Sequence, residues 1–129
     1  IRGFPINKEE VTEIEKREIK GEIEYLLNVF LENEEFVIVG YADETEKNKK
    51  KLSLSRAEKM AEFLKQNGLR KDIKISKITG KSSENLVDTN DTEIGRYNNR
   101  RVEIFLKNGK VKKIDVEDVG ELLNQLKDE

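Results

Sequence analysis

The chain has 129 residues, enough for one domain, and its 25 basic residues nearly balance 27 acidic ones, for a formal charge of −2. It contains neither Cys nor His, which excludes structural zinc sites, thiol nucleophiles and His-based acid–base catalysis. There is no clustered basic excess of the kind nucleic acid requires, and no apolar run approaches the roughly 18 to 20 residues of a membrane span.

Although 40% of the residues are charged, apolar residues recur in periodic segments, so a folded domain with a highly charged surface is expected. Residues 1–6, IRGFPI, read as a short edge strand, because Pro5 lacks the donor a central strand needs. A long helix is predicted from Asn7, which serves as its N-cap, with acidic residues crowding the first turns. Its apolar stripe is Ile19, Ile23, Leu26, Leu27 and Phe30, with Val11 and Ile14 slightly out of phase and Gly21 as a point of bending. The run EFVIVGY has strand length and the continuous apolar character of a strand covered on both faces.

Ala57, Met60, Ala61 and Leu64 mark a second helix, stopped by Asn67-Gly68 with the glycine at C′. DIKISKI alternates as a strand. Residues 80–99 are polar and rich in turn formers, which predicts a long loop with a helical turn at most. RVEIFLK places Val102, Ile104 and Leu106 on one strand face and Arg101, Glu103 and Phe105 on the other. Asn108-Gly109 is a type I′ hairpin signal, KVKKIDV the returning strand, and Asp115 the cap of a last helix with Val119, Leu122, Leu123 and Leu126 on its apolar face. The order β-α-β-α-β-loop-β-β-α predicts one α/β (α+β) two-layer sandwich with a mixed sheet and no internal repeat.

Two charges invite a functional reading. Asp43 ends the apolar strand. Arg56 is placed about one turn into the second helix, with Ser53 or Ser55 as its cap and free N–H groups nearby to attract an anion. Together they suit a zwitterion; the alternative is that they simply pair with each other across the loop. The lysines at 47 and 49–51 read as a solvated turn. In GRYNNRR, Arg96, Arg100 and Arg101 are suited to fixing loop carbonyls, pairing with sheet-edge carboxylates, or lining a pocket. A nucleophile, a base and a metal cluster are all missing, so no enzyme and no cofactor are expected.

In order along the chain stand Gly40-Tyr41-Ala42-Asp43, Leu52-Ser53-Leu54-Ser55-Arg56-Ala57, and Gly95-Arg96-Tyr97-Asn98-Asn99-Arg100-Arg101-Val102-Glu103. Together they resemble the motifs of the OmpA-like C-terminal, peptidoglycan-associating domain family, over roughly residues 1–107. The resemblance implies a β-α-β-α-β-β core; residues 108–129, the hairpin strand and last helix, lie beyond that core and are expected to pack on the same domain. It implies non-catalytic, non-covalent binding of the peptidoglycan stem peptide through diaminopimelate, with Asp43 taking the ammonium and Arg56 the carboxylate. Further ligand contacts fall on Asn7, Thr45 and Arg100.

The implied location is the periplasm, in association with the outer membrane. Membrane contact would come only through an anchor or barrel upstream of Ile1, and homodimers are compatible with this arrangement. Since the chain begins at Ile1 rather than Met, it is expected to be a fragment or processed form. The alternative is an OmpA-like fold used as a protein-interaction module that has lost wall binding. The chain departs from the family pattern where Glu46 replaces a glycine, Lys49 an asparagine and Leu86 a proline; its 44–51 loop is also shorter, and Tyr41 stands where histidine is common.

Overall fold

A computed structural model describes residues 1–23, 35–107 and 113–114. The first helix, α1 (Glu13–Glu22), starts where the extended Thr12 accepts a hydrogen bond from the Glu15 N–H at 3.3 Å. Glu13 and Glu15 in the first turn complement the helix dipole. The helix thus begins later than predicted. Asn7 is not its cap: it adopts a left-handed conformation (φ 57°) inside a turn closed by the Lys8 N–H on the Pro5 carbonyl. Asparagine tolerates that region better than most residues.

The predicted N-terminal edge strand is reduced to one antiparallel bridge, Arg2 to Arg101, with Ile1 and Val102 exchanging hydrogen bonds beside it. Gly3 at φ 82° and the missing Pro5 donor prevent a longer ladder.

The strands are β1 (Glu35–Gly40), β2 (Lys74–Gly80), β3 (Val102–Leu106) and β4 (Lys113–Ile114). Among the described residues they form one sheet in the order β2-β1-β3-β4. β1 and β2 are parallel, joined through the helix α2 (Lys49–Gln66), whereas β1–β3 and β3–β4 are antiparallel. The predicted hairpin return is therefore seen as Lys113–Ile114 pairing back on β3; its turn and the last helix lie outside the described residues. The long polar segment closes with a seven-residue helix, α3 (Glu93–Asn99), capped by Thr92.

The core lies between the sheet and the helices. Ile19 and Ile23 at the end of α1 and Ala57, Met60, Ala61 and Leu64 of α2 pack on Phe36, Ile38, Val102 and Ile104. These are the inward positions expected from the 3.6- and 2-residue periods. Leu26, Leu27 and Phe30 lie outside the described residues, and Ile14 is exposed. α2 ends as predicted: Gly68 takes φ 108° and the Leu69 N–H returns to the Leu64 carbonyl.

Its start differs from expectation. α2 begins at Lys49, because a run of three lysines is good helix-forming sequence. Ser53 is therefore not a cap; it lies in the second turn, donating to the Lys50 carbonyl and accepting from the Ser82 N–H.

Candidate binding site

The ends of β1 and β2 are a paired glycine step, Gly40 opposite Gly80, and the backbone of α2 at Ser53 and Leu54 rests on both. This close approach carries Arg56 beneath the chain just beyond β1. Arg56 is fully buried, two turns into α2 rather than at its mouth. All five of its N–H donors are used. Nε donates to the Lys8 carbonyl (2.9 Å), Nη1 to the Tyr41 carbonyl (3.1 Å) and to Glu46 Oε1 (2.6 Å), and Nη2 to the Pro5 carbonyl (3.2 Å) and to Glu46 Oε2. The Phe4 ring lies 5.1 Å from the guanidinium carbon.

Glu46 is the group that sequence reasoning missed as a participant. Its carboxylate is gripped bidentately by Arg56, and each oxygen also accepts a backbone N–H, from Asp43 to Oε1 (3.0 Å) and from Asn7 to Oε2 (2.8 Å). Two backbone amides and a guanidinium fork thus form a receptor for one carboxylate, the charge-assisted geometry that makes such pairs strong. The signal in the sequence was Glu46 itself, an acid where the resembling motif has glycine.

Asp43 is equally buried, but its partner is not Arg56. Oδ1 accepts from the Thr45 N–H (2.7 Å) and hydroxyl (2.6 Å), and Oδ2 from Arg100 Nη1 (2.9 Å). The two anchors therefore cross-pair, Asp43 with Arg100 and Arg56 with Glu46. Arg100 also reaches the Phe4 carbonyl and Glu93. The Asn7 side chain accepts from the Lys47 N–H at 2.9 Å, tying the N-terminal segment to the loop. All five residues singled out from the sequence, Asp43, Arg56, Asn7, Thr45 and Arg100, meet within this one network, and Glu46 joins them.

Arg101 and Asn99 serve the scaffold instead. Arg101 stacks on the Tyr41 ring at 3.8 Å, pairs with Glu103 and holds the Asn85 and Asn99 carbonyls. The Asn99 amide fixes Val87 and Asp88, so the long loop is pinned against the sheet end. Arg96 holds the Asn90 carbonyl. Of the roles open to Arg96, Arg100 and Arg101, fixing loop carbonyls and pairing with carboxylates are both seen.

Burial disfavours the ionised form of Asp43, but hydrogen bonds from Thr45 and Arg100 outweigh it and hold its pKa below the ordinary 3.8. A carboxylate lowered on folding stabilises fully above its unfolded value, and that contribution is lost as pH falls through the lower folded value. Urea midpoints measured from about pH 5 down to about pH 2 should fall in the unmodified protein and fall less steeply in Asp43→Asn. Equal slopes would show that Asp43 is not linked to stability in this way.

Beside the network lies an open cleft of about 360 Å³ lined by Asn7, Glu9, Lys47, Asn48, Lys51, Leu52 and Ser55. Among the described residues, no group of His, Cys, Asp and Glu side chains is placed to hold a metal ion, and no helix is long and apolar enough to cross a membrane.

Residues 3–100 match the OmpA family. No curated protein matches by sequence. Among solved structures, the periplasmic domain of Helicobacter pylori MotB (residues 97–256) aligns with a TM-score of 0.69 at 19% identity, covering 98% of this chain and 86% of that one. The cell wall anchor of the T6SS from Pseudomonas aeruginosa aligns at 0.56 and 23% identity, covering 79% and 72%. The OmpA-like domain of FopA1 from Francisella tularensis aligns at 0.60 and 20%, covering 88% and 73%. At these identities the likeness establishes a shared fold.

Proposed function

This chain belongs to the OmpA family, and from that premise we propose that it binds peptidoglycan non-covalently, as a non-catalytic anchor of an outer-membrane or periplasmic protein to the cell wall. The ligand we assign is the stem peptide, held at its diaminopimelate-type residue. Arg56 takes the carboxylate and Asp43 the ammonium, with Asn7, Thr45 and Arg100 completing the contacts.

The observation that carries this reading is the receptor around Arg56, four donors converging on a single carboxylate. Asp43 supplies the complementary half. An ionised carboxylate offers about four lone-pair positions, and the three hydrogen bonds from Thr45 and Arg100 leave one to receive an ammonium. Support of a coarser kind comes from the similar folds, one of which is described as a cell wall anchor and another as a periplasmic domain.

The test is co-sedimentation of the purified chain with diaminopimelate-type sacculi. A synthetic stem peptide carrying diaminopimelate should displace it, while the same peptide with alanine at that position should not; Asp43→Asn should weaken retention. Equal displacement by both peptides would sink the assignment. The complete burial of Asp43 and Arg56 favours a second reading, in which the fold is kept as a protein-interaction module without wall binding. Absence of sedimentation in every form of the protein would select it.

A further inference from the structure

The group that fills the Arg56 receptor belongs to the chain itself, and we infer that Glu46 is an intramolecular ligand. By occupying the receptor it competes with any external carboxylate and sets the affinity and selectivity of the site. This inference rests on the proposed site, which it deepens by naming the residue that controls access.

Three observations carry it. First, the Glu46 carboxylate is bound as a separate carboxylate would be, with two guanidinium N–H and two backbone N–H donors on its two oxygens. Second, it is delivered by a surface loop. Within residues 44–48, Glu44, Thr45, Lys47 and Asn48 are exposed, and Glu46 alone turns inward, with 5% of its surface accessible. Third, the loop adjoins open space. Asn7, which donates to Glu46, and Lys47, which follows it, both line the 360 Å³ cleft, so a displaced Glu46 has room beside its bound position.

A tethered carboxylate acts at a high effective concentration, and an external carboxylate gains the receptor only in the fraction of molecules where the tether has let go. Apparent affinity falls by that fraction. The device therefore favours ligands that supply further contacts, or many copies on one polymer, over free small carboxylates.

The experiment uses the 129-residue chain and its Glu46→Gly and Glu46→Gln variants. Thermal melts are recorded in sodium acetate and in sodium chloride at matched ionic strength, and binding of free diaminopimelate and of sacculi is measured. The unmodified protein should melt alike in both salts. Glu46→Gly should melt lower in chloride, regain several degrees in acetate, and bind diaminopimelate about tenfold tighter or more. If Glu46→Gly folds only when acetate is added, that outcome supports the inference equally. Should it not fold in either salt, Glu46→Gln decides: it keeps the volume but removes the charge, and diaminopimelate affinity no higher than that of the unmodified protein overturns the inference.

Destabilisation of Glu46→Gly without acetate rescue also overturns it, since a purely structural glutamate would behave so. The two readings fail separately. Acetate rescue with no form retained on sacculi keeps the self-liganded receptor and removes the wall assignment. Sacculus binding unchanged by either variant, without rescue, does the reverse.

Discussion

Truncating Arg56 to alanine is expected to destabilise the domain by about 3–5 kcal/mol, the cost of breaking one side of a buried ion pair. Neither side chain of the Arg56–Glu46 pair is accessible to water, so removing the guanidinium strands a carboxylate that water cannot reach without opening the site. The carbonyls of Pro5, Lys8 and Tyr41 lose their donors at the same time, adding an unsatisfied-acceptor penalty. The measurement is a urea titration of the unmodified chain, of Arg56→Ala, and of the paired change Arg56→Met with Glu46→Leu. Replacing both charges removes the stranded carboxylate, and the double variant should recover part of the loss. It should not recover all of it, because the three carbonyls, and the Asp43 and Asn7 N–H groups that Glu46 accepted, remain unsatisfied. A double variant no more stable than Arg56→Ala would mean that the backbone groups around the pair, and not the charges themselves, dominate the cost.

Gly40→Ala is expected to cost about 3 kcal/mol, near the top of the usual range for overpacking, and to lower Tm by roughly 10 °C. A Cβ at Gly40 would stand 1.9 Å from the Ser53 carbonyl oxygen, and one at Gly80 would stand 2.2 Å from the Leu54 nitrogen. Both obstacles are backbone atoms of α2, so no side-chain rotation relieves them and the helix itself must lift. Because that helix carries Arg56, the same change should also disturb the carboxylate receptor. Gly21 is the internal contrast. It lies in α1, where among the described residues nothing beyond the helix's own backbone comes within 4 Å of the position of a Cβ, and Gly21→Ala should stabilise by about 0.5–1 kcal/mol. Thermal melts of both variants check the pair, and similar midpoints would refute the close-approach explanation.

Much of the architecture was legible. The apolar run at 35–40, the inward positions of α2, the stop at Gly68 and the strand at 102–106 are periodicity and turn chemistry, both of which are local properties. The errors share a cause. Asparagine favours helix caps, which makes Asn7 look like one, yet its contacts are with Glu46 and Lys47, some forty positions away. The apolar spacing of α2 begins near Ser53 and Ser55, which suggests a cap there, while three lysines extend the helix backwards without any apolar signal.

The ordered motifs at 40–43, 52–57 and 95–103 were sufficient to name the family and to draw attention to Asp43, Asn7, Thr45, Arg56 and Arg100. Residue types and spacing carry that much, since they record which charges are available and which elements hold them. Only the tertiary structure decided how the charges are spent: Asp43 on Arg100 and Thr45, Arg56 on Glu46 and three carbonyls. The physical reason is that a buried charge takes whatever partners geometry brings within hydrogen-bonding distance. Three of the five acceptors around Arg56 are backbone carbonyls, which are the same in every residue and leave no mark in a sequence.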